Sequence, residues 1–325
     1  MSERPSPRGI VPPRPDLGGG AATPSFALPA GAGPGLPGPL GETVIGERTF
    51  RWGERTYLMG VINVTPDSFS GDGLLAGPPG RTRAAAVGAA ADLARRMAEE
   101  GADLVDVGGE SSRPGHAPVD EAEEIRRVVP VVAAIRAALP GLPISVDTIK
   151  PAVAAAALDA GAAMVNDAWG VAADDRLLRV AAERTVPVVL MHNRHEARYV
   201  NLVAEIIGDL QRAMERALTA GVAWERIVVD PGFGFGKTPE HNLALLGDLA
   251  ALTLLGRPIL LGTSRKSTLG KVLDLPPEER LEAPLATTAL AIAAGVDIVR
   301  VHDVRPNARA ARMADAAVRG GTGPG

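Results

Sequence analysis

The segment Leu58-Met-Gly-Val-Ile-Asn-Val64, read with the two segments that follow it, decides the fold class. It is short and apolar and lacks the alternation of a half-buried strand, so it is typical of a strand covered on both faces. A helical pattern follows over Arg83–Glu100, and a second apolar run of the same kind follows over Leu104–Val107. This succession predicts a βαβ unit of a parallel sheet.

The same alternation continues along the rest of the chain. Further apolar runs lie at Ile144–Val146, Met164–Val165, Val188–Leu190, Ile227–Val229, Ile259–Leu261 and Ile298–Val301. Helical patterns cover Glu121–Ala138, Pro151–Ala160, Leu177–Arg184, Leu202–Ala220, Leu285–Ala294 and Asn307–Val318. Eight strand–helix units in a stretch of this length predict a (β/α)8 barrel, which usually takes ~250 residues. A doubly wound open sheet is the alternative.

The two segments before the first predicted barrel strand have a different character. Residues 1–41 contain ten prolines and nine glycines and almost no large apolar side chains, which predicts a disordered tail ahead of a barrel domain over residues 42–320. The tail lacks the basic start and apolar stretch of a secretory signal. Residues Thr49–Leu58 alternate in polarity around Gly53, which predicts a β-hairpin.

Composition excludes several classes of protein. Among the 325 residues there is no cysteine, which excludes disulfides, thiolate metal sites and cysteine nucleophiles. A net charge of −4 argues against a general nucleic-acid binder, and no run of 18 apolar residues is present to span a membrane. We therefore expect a cytoplasmic protein whose partners are small molecules.

Lysine is rare, because only four of the 34 basic residues are lysines: Lys150, Lys237, Lys266 and Lys271. A lysine that persists where arginine is favoured suggests a need for a compact charge. Gly236-Lys237-Thr238 is similar to the end of a nucleotide-binding P-loop, but that motif requires glycine at position 231, which is proline. The chain is therefore not predicted to be a P-loop NTPase.

Polar side chains follow each of the eight apolar runs. They are Asn63, Asp106, Asp147, Asn166, His192, Asp230, the segment Ser264-Arg265-Lys266, and His302 with Arg300 beside it. An Asp or Asn after a single strand commonly caps the next helix. Polar residues after all eight runs instead predict an active site, because the active site of a (β/α)8 barrel lies at the carboxyl ends of its strands.

Six motifs occupy these strand ends. They are Gly60-Val-Ile-Asn-Val-Thr-Pro-Asp-Ser-Phe-Ser70, Gly109-Glu-Ser-Ser-Arg-Pro-Gly115, Ser145-Val-Asp-Thr148, Asp230-Pro-Gly-Phe-Gly-Phe-Gly-Lys237, Ser264-Arg-Lys-Ser267 and Arg300-Val-His302. In this order they resemble the dihydropteroate synthase family over residues 57–303. The resemblance implies a barrel transferase of folate biosynthesis. Such an enzyme joins 6-hydroxymethyl-7,8-dihydropterin diphosphate to p-aminobenzoate, releases pyrophosphate and is the target of sulfonamides.

The resemblance also implies a role for each site residue. Asp147, Asn166 and Asp230 would bind the pterin edge, with Lys266 beside the ring. Asn63 would contribute an oxygen to Mg2+, which prefers oxygen ligands and often binds through substrate phosphates. The remaining substrate contacts would be made to the diphosphate by Ser112, Arg300 and His302, and to p-aminobenzoate by Arg113, Pro114, Phe235 and Ser264.

Lys266, Arg113, Asp147 and Asp230 are the residues that we expect to carry the catalysis. The family also implies a homodimer formed through late helices such as Leu285–Ala294. Two other functions stay open, namely a pterin-dependent methyltransferase barrel and a catalytically silent pterin-binding paralogue. The fifth loop departs from the family pattern after Met191-His192, and the role of His192 is open.

Overall fold

The strands of the computed structural model form one short hairpin and one eight-stranded sheet. The structure describes residues 40–65, 83–110, 118–170, 175–276 and 279–320. The hairpin consists of β1 (Glu42–Ile45) and β2 (Arg48–Arg51). The strands of the sheet are β3 (Tyr57–Asn63), β4 (Leu104–Gly108), β5 (Ile144–Asp147), β6 (Met164–Asp167), β7 (Val188–Met191), β8 (Ile227–Asp230), β9 (Leu260–Leu261) and β10 (Ile298–Val301).

The eight-stranded sheet closes on itself. Strands β3 to β8 pair in parallel in chain order, and β10 pairs in parallel with both β3 and β9. A parallel bridge between Val229 and Ile259 joins β8 to the start of β9 and completes the circle. The prediction of a barrel is therefore confirmed, and the open-sheet alternative is wrong.

Helices follow the strands; the predicted helical patterns match seven of them and miss those over Pro239–Gly247 and Ser267–Leu273. Within the described residues they are α1 (Arg83–Glu100), α2 (Glu121–Ala138), α3 (Pro151–Asp159), α4 (Asp175–Glu183), α5 (Leu202–Thr219), α6 (Pro239–Gly247), α7 (Ser267–Leu273), α8 (Glu282–Ala293) and α9 (Val304–Arg319). Short 3-10 segments cover Trp224–Arg226 and Leu249–Leu255. No helix in this part of the chain is long and apolar enough to cross a membrane.

The hairpin is present, but it lies earlier in the chain than predicted. Ile45 pairs with Arg48, so the turn is formed by Gly46 and Glu47 and not by Gly53. Gly46 has φ +61, the conformation that a two-residue hairpin turn requires. Tyr57, at the end of the predicted hairpin, instead pairs with β10 and belongs to the barrel.

The hairpin closes the amino-terminal end of the barrel. The aromatic rings of Phe50, Trp52 and Tyr57 pack on one another with centroids 4.7–5.8 Å apart. They cover apolar side chains from seven of the strands, namely Met59, Leu104, Met164, Val189, Val228, Leu260 and Ile298. Gly41, from the end of the predicted tail, accepts a hydrogen bond from the Trp52 amide. The polar strand ends therefore lie at the opposite end of the barrel.

Candidate active site

The barrel brings most of the predicted pterin-binding residues together at its carboxyl end. Asp147 and Asp230 are the last residues of β5 and β8, and Asn166 lies in β6. Lys266 follows β9 directly before α7, and Arg300 lies in β10. Because all these strands run in parallel, their carboxyl ends form one ring of polar side chains.

Arg300 is the centre of a buried ion-pair network. Its Nε donates to Asp106 Oδ2 at 2.6 Å, and its Nη2 donates to Asp147 Oδ2 at 2.9 Å. Asp106 Oδ2 also accepts a hydrogen bond from Asn166 Nδ2 at 2.9 Å. A carboxylate that accepts from Nδ2 leaves the Asn166 carbonyl oxygen facing the other way, so the network fixes the orientation of the amide.

Asp106 belongs to the site, although sequence reasoning placed it at a strand end without giving it a role. The residue is fully buried in β4 between Val105 and Val107. Its Oδ1 atom has no hydrogen-bond partner among the described residues. The sequence signal for its role was an acidic residue within an apolar strand, because a charge buried there requires polar or charged partners.

Burial changes the protonation of the carboxyl groups and the amine. Burial, reinforced by the charge of Asp106, raises the pKa of Asp147 to about 7, although Arg300 opposes this shift. Burial likewise raises the pKa of Asp230, with Lys266 opposing. Burial lowers the pKa of Lys266 to about 8, with Asp230 opposing. The site is therefore a ring of buried and partly buried polar groups, where a low effective dielectric strengthens hydrogen bonds to a ligand.

Lys266 lies against the glycine-rich loop that follows β8. Its ammonium nitrogen is 4.4 Å from the centre of the Phe235 ring and donates a hydrogen bond to the Phe233 carbonyl. A side chain at Gly234 would place its Cβ 2.8 Å from Lys266 Cδ, so glycine is required for this approach. Arg265, which precedes the lysine, has φ +59, a strained conformation of the kind found at functional sites.

The residues expected at the diphosphate are placed only in part. His302 Nδ1 is 3.0 Å from Ser264 Oγ, so these two predicted site residues form a pair beyond β9 and β10. Asn63 ends β3 and pairs in register with Gly108 of β4. Ser112, Arg113 and Pro114 lie outside the described residues.

His192 and Lys237 form a second polar cluster, for which sequence reasoning assigned no function. Lys237 Nζ is 2.9 Å from His192 Nδ1, and His192 Nε2 is 3.1 Å from Asp209 Oδ2. The cluster lies beside the glycine-rich loop; it shares no hydrogen bond with the Arg300 network among the described residues, but the charge of Lys237 acts on Asp230.

Comparison with known proteins agrees with this geometry. The model of the pterin-binding enzyme family matches residues 59–302. A dihydropteroate synthase of Clostridium beijerinckii is 48% identical over 276 residues, which are 85% of this chain and 99% of that protein. A dihydropteroate synthase of Bacillus subtilis is also 48% identical, over 82% of this chain and 90% of the relative.

Solved structures show the same similarity. A Clostridium difficile dihydropteroate synthase crystallised with pteroic acid superposes with a TM-score of 0.77 at 48% identity, over 83% of this chain and 99% of the other. The Xanthomonas albilineans enzyme with 4-aminobenzoic acid superposes with a TM-score of 0.78 at 40% identity, over 85% of this chain and 97% of the other. The chain belongs to the pterin-binding enzymes and, within them, to the dihydropteroate synthases.

Proposed function

We propose that the carboxyl end of this barrel condenses 6-hydroxymethyl-7,8-dihydropterin diphosphate with p-aminobenzoate, giving 7,8-dihydropteroate and pyrophosphate. The observation that carries the proposal is the convergence of Asp147, Asn166, Asp230 and Lys266 around the buried Arg300 network. The relatives crystallised with pteroic acid and with 4-aminobenzoic acid support the same pair of substrates.

The pterin ring has an edge of adjacent N–H donors and acceptor atoms. Asp147, Asn166 and Asp230 offer carboxyl and amide groups on three strands, which suits a flat, polar ring edge. Burial disfavours the charged form of Asp230, because water no longer donates hydrogen bonds to the carboxylate. A ligand that donates hydrogen bonds to Asp230 replaces those of water and stabilises the charged form. A heterocycle without those donors leaves buried polar groups unpaired, which is the basis of selectivity.

Pyrophosphate is the leaving group and gains negative charge as the carbon–oxygen bond breaks. Two carboxylates hold Arg300 in position, and Ser264 lies 3.0 Å from His302 Nδ1. We assign Arg300 and His302 to the diphosphate. We assign Ser112 to the same group from the motif. Positive and hydrogen-bonding groups fixed in advance stabilise developing charge without further reorganisation.

We propose Mg2+ as the cofactor, with Asn63 as its ligand from the protein. The amide oxygen of Asn63 suits a hard cation, and the described residues contain no group of three or more acidic or histidine side chains that could hold the ion alone. Substrate oxygens would therefore complete the coordination. When bound, the ion would neutralise charge on the diphosphate.

The amino group of p-aminobenzoate attacks the methylene carbon of the pterin. An uncharged arylamine is already nucleophilic, so catalysis depends on positioning. We assign Phe235 and Pro114 to the faces of the ring, and Arg113 with the Ser264–Lys266 turn to the carboxylate. We assign Lys266 to both substrates, which its nearness to the Phe235 ring and its electrostatic interaction with Asp230 support.

The experiment is to incubate the chain with the pterin diphosphate and Mg2+, with and without p-aminobenzoate, and to measure pyrophosphate release. We expect release that depends on p-aminobenzoate and is lost in Lys266→Ala. A silent pterin-binding paralogue would bind the pterin diphosphate without releasing pyrophosphate. A pterin-dependent methyltransferase would bind a methylated folate and transfer its methyl group. Either result would overturn the proposal.

We also propose that the chain forms a homodimer and acts in the cytoplasm. Leu290 of α8 and Met313 of α9 are 56% and 71% exposed, and these two helices lie side by side. Exposed apolar side chains on adjacent late helices are suited to a subunit contact. Light scattering should give twice the chain mass, and Leu290→Asp should shift it toward the monomer.

A further inference from the structure

Three protein groups surround the side-chain nitrogen of Lys237, where an exposed lysine would be surrounded by water. Its ammonium nitrogen lies 2.9 Å from His192 Nδ1, 3.0 Å from the Gly232 carbonyl and 3.1 Å from the Phe235 carbonyl. Burial lowers the pKa of Lys237 to about 7, with Asp230 opposing. In its protonated form the group has three N–H donors, and these three acceptors use all of them. The lysine therefore cross-links the loop that precedes it to the end of β7.

The acceptor on the β7 side is fixed by its own surroundings. His192 is fully buried, and burial followed by the charge of Lys237 lowers its pKa to about 3, so the ring is neutral. The Nε2–H of the neutral ring donates to Asp209, which leaves Nδ1 free to accept from Lys237. Asp209 is held in turn by Arg194 and Arg212, which anchors the cluster to α5.

The loop between Asp230 and Lys237 rests directly on the backbone that follows β7. Gly232 has φ +68, and a Cβ there would lie 1.8 Å from the His192 carbonyl oxygen. Gly236 has φ +54, and its Cβ would lie 2.4 Å from the Arg194 carbonyl oxygen. A side chain at either position would clash with this backbone, so only glycine fits there. The loop is therefore closely packed against the segment that follows β7.

Two further hydrogen bonds hold the same loop. The Tyr199 hydroxyl donates to the Gly236 carbonyl at 2.8 Å, and the Gly234 amide donates to Asn242 Oδ1 at 2.7 Å. The Phe235 amide donates to the Gly232 carbonyl at 3.0 Å and closes a tight turn. Several hydrogen bonds therefore hold the loop that carries Phe235, and Lys237 bonds to the carbonyls of both Gly232 and Phe235.

We propose that Lys237 is a positioning residue for the arylamine substrate: it locks the Gly232–Gly236 turn onto the His192–Asp209 pair and so holds the Phe235 ring beside Lys266. The inference rests on the proposed function, because it takes Phe235 as a contact of p-aminobenzoate. Lys237 is assigned to neither substrate and acts through Phe235, whose carbonyl accepts its hydrogen bond and whose ring lies beside Lys266.

A lysine suits this place better than an arginine. The three acceptors surround one nitrogen atom, which matches a tetrahedral ammonium group, whereas a guanidinium spreads its donors over a planar fork. The scarcity of lysine in this chain is consistent with that requirement.

The test uses the full chain and four variants. Lys237→Met removes the cross-link, and Tyr199→Phe removes one hydrogen bond from the same loop while keeping the ring that packs near His192 and Arg194. Phe235→Ala removes the ring on which Lys237 is proposed to act and is also combined with Lys237→Met. Lys271→Met is the matched control, because Lys271 is an exposed lysine of α7. The measurements are the KM for p-aminobenzoate, kcat, and binding of the pterin diphosphate by calorimetry.

Lys237→Met is expected to raise the KM for p-aminobenzoate by about tenfold or more, because a displacement of about 1 Å is costly to a positioned reactant. Tyr199→Phe should raise the same KM about threefold, the effect of losing one hydrogen bond. Affinity for the pterin diphosphate should stay within about twofold, and Lys271→Met should resemble the wild type. The double variant should be no worse than Phe235→Ala, because residues that act through one contact are not additive.

Three results would overturn the inference. The first is an unchanged KM for p-aminobenzoate in folded Lys237→Met. The second is a parallel loss of affinity for the pterin diphosphate in Lys237→Met. The third is a double variant in which the effects of the two substitutions on the KM add. Either result would mean that Lys237 stabilises the carboxyl end of the barrel in general and does not act through Phe235. If Lys237→Met does not fold, an unchanged KM in Tyr199→Phe overturns the inference. A wild-type chain that releases no pyrophosphate with both substrates present would refute the proposed function first and the inference with it.

Discussion

Replacing Asp106 by asparagine should cost most of the activity while the fold persists. The substitution keeps the shape of the side chain but removes the charge that holds Arg300 Nε at 2.6 Å. It also disturbs the carboxylate oxygen that accepts from Asn166 at 2.9 Å. Among the described residues, Arg300 would keep its hydrogen bond to Asp147 and the charge of Asp230 nearby, and the Asn166 amide would lose the group that orients it.

The magnitude follows from the kind of hydrogen bond that the substitution removes. A hydrogen bond to a charged group contributes about 1.5–3 kcal/mol, so we expect a loss of about 2–3 kcal/mol in transition-state stabilisation. That corresponds to a fall of roughly 30- to 150-fold in kcat/KM for the pterin diphosphate. The assay is steady-state pyrophosphate release, with calorimetric titration of the pterin diphosphate alongside.

A matched control shows whether the effect is specific to the Arg300 network or follows from the loss of any Asp–Arg ion pair. Asp92 and Arg95 on α1 form an ion pair at 2.7 Å, but both side chains are about half exposed. Asp92→Asn should leave kcat/KM unchanged, because exposed pairs contribute little. A folded Asp106→Asn protein within about threefold of the wild type would refute the role of the Arg300 network.

Lys266→Ala should lower the rate at least ~100-fold, about 2.7 kcal/mol, and Lys266→Arg should also be impaired because its planar fork is wider; near-normal turnover of the alanine variant would contradict the assignment. Asp167 is fully buried, and burial raises its pKa to about 7. The contribution of this group to stability is therefore fully present below pH 4, where the carboxyl is neutral, and it is lost as the pH rises through 7 and the buried group must ionise. Asp167→Asn should therefore stabilise the chain at pH 8 by up to about 4 kcal/mol and not at pH 4; urea unfolding that shows no pH-dependent difference would refute this. Calorimetry should detect only weak Mg2+ binding without diphosphate, and tight binding to the ligand-free chain would contradict the role of Asn63.

Most of the barrel was predictable because its signal is local and repeated. The patterns for α1 and α2 predicted the observed bounds, since long helices with one buried face have a strong period. Helices α6 and α7 are short and follow loops rich in glycine or polar residues, so their pattern was too brief to identify. The hairpin was misplaced because polarity alternates on both sides of Gly46 and Gly53, and only pairing with β10 shows that Tyr57 belongs to the barrel.

The gathering of polar residues at one end of the barrel was predictable, whereas the hydrogen bonds that connect them were not. The rule that polar residues gather at strand ends identified Asp147, Asn166 and Asp230, and the family resemblance supplied their roles. Asp106 and Arg300 are 194 residues apart, and nothing in either segment indicates that they meet. The contact between Lys237 and His192 spans 45 residues and depends on the register of two loops. Such contacts arise from closure of the barrel and therefore require the structure.

The most direct test of the proposed reaction is to measure pyrophosphate and 7,8-dihydropteroate in the same mixture of enzyme, pterin diphosphate, p-aminobenzoate and Mg2+. If the amine displaces the diphosphate at the carboxyl end of the barrel, the two products should appear in equal molar amounts at every time point. Both should be absent when p-aminobenzoate is omitted, and both should fall together in Lys266→Ala. Pyrophosphate that accumulates without an equal amount of 7,8-dihydropteroate would contradict the account.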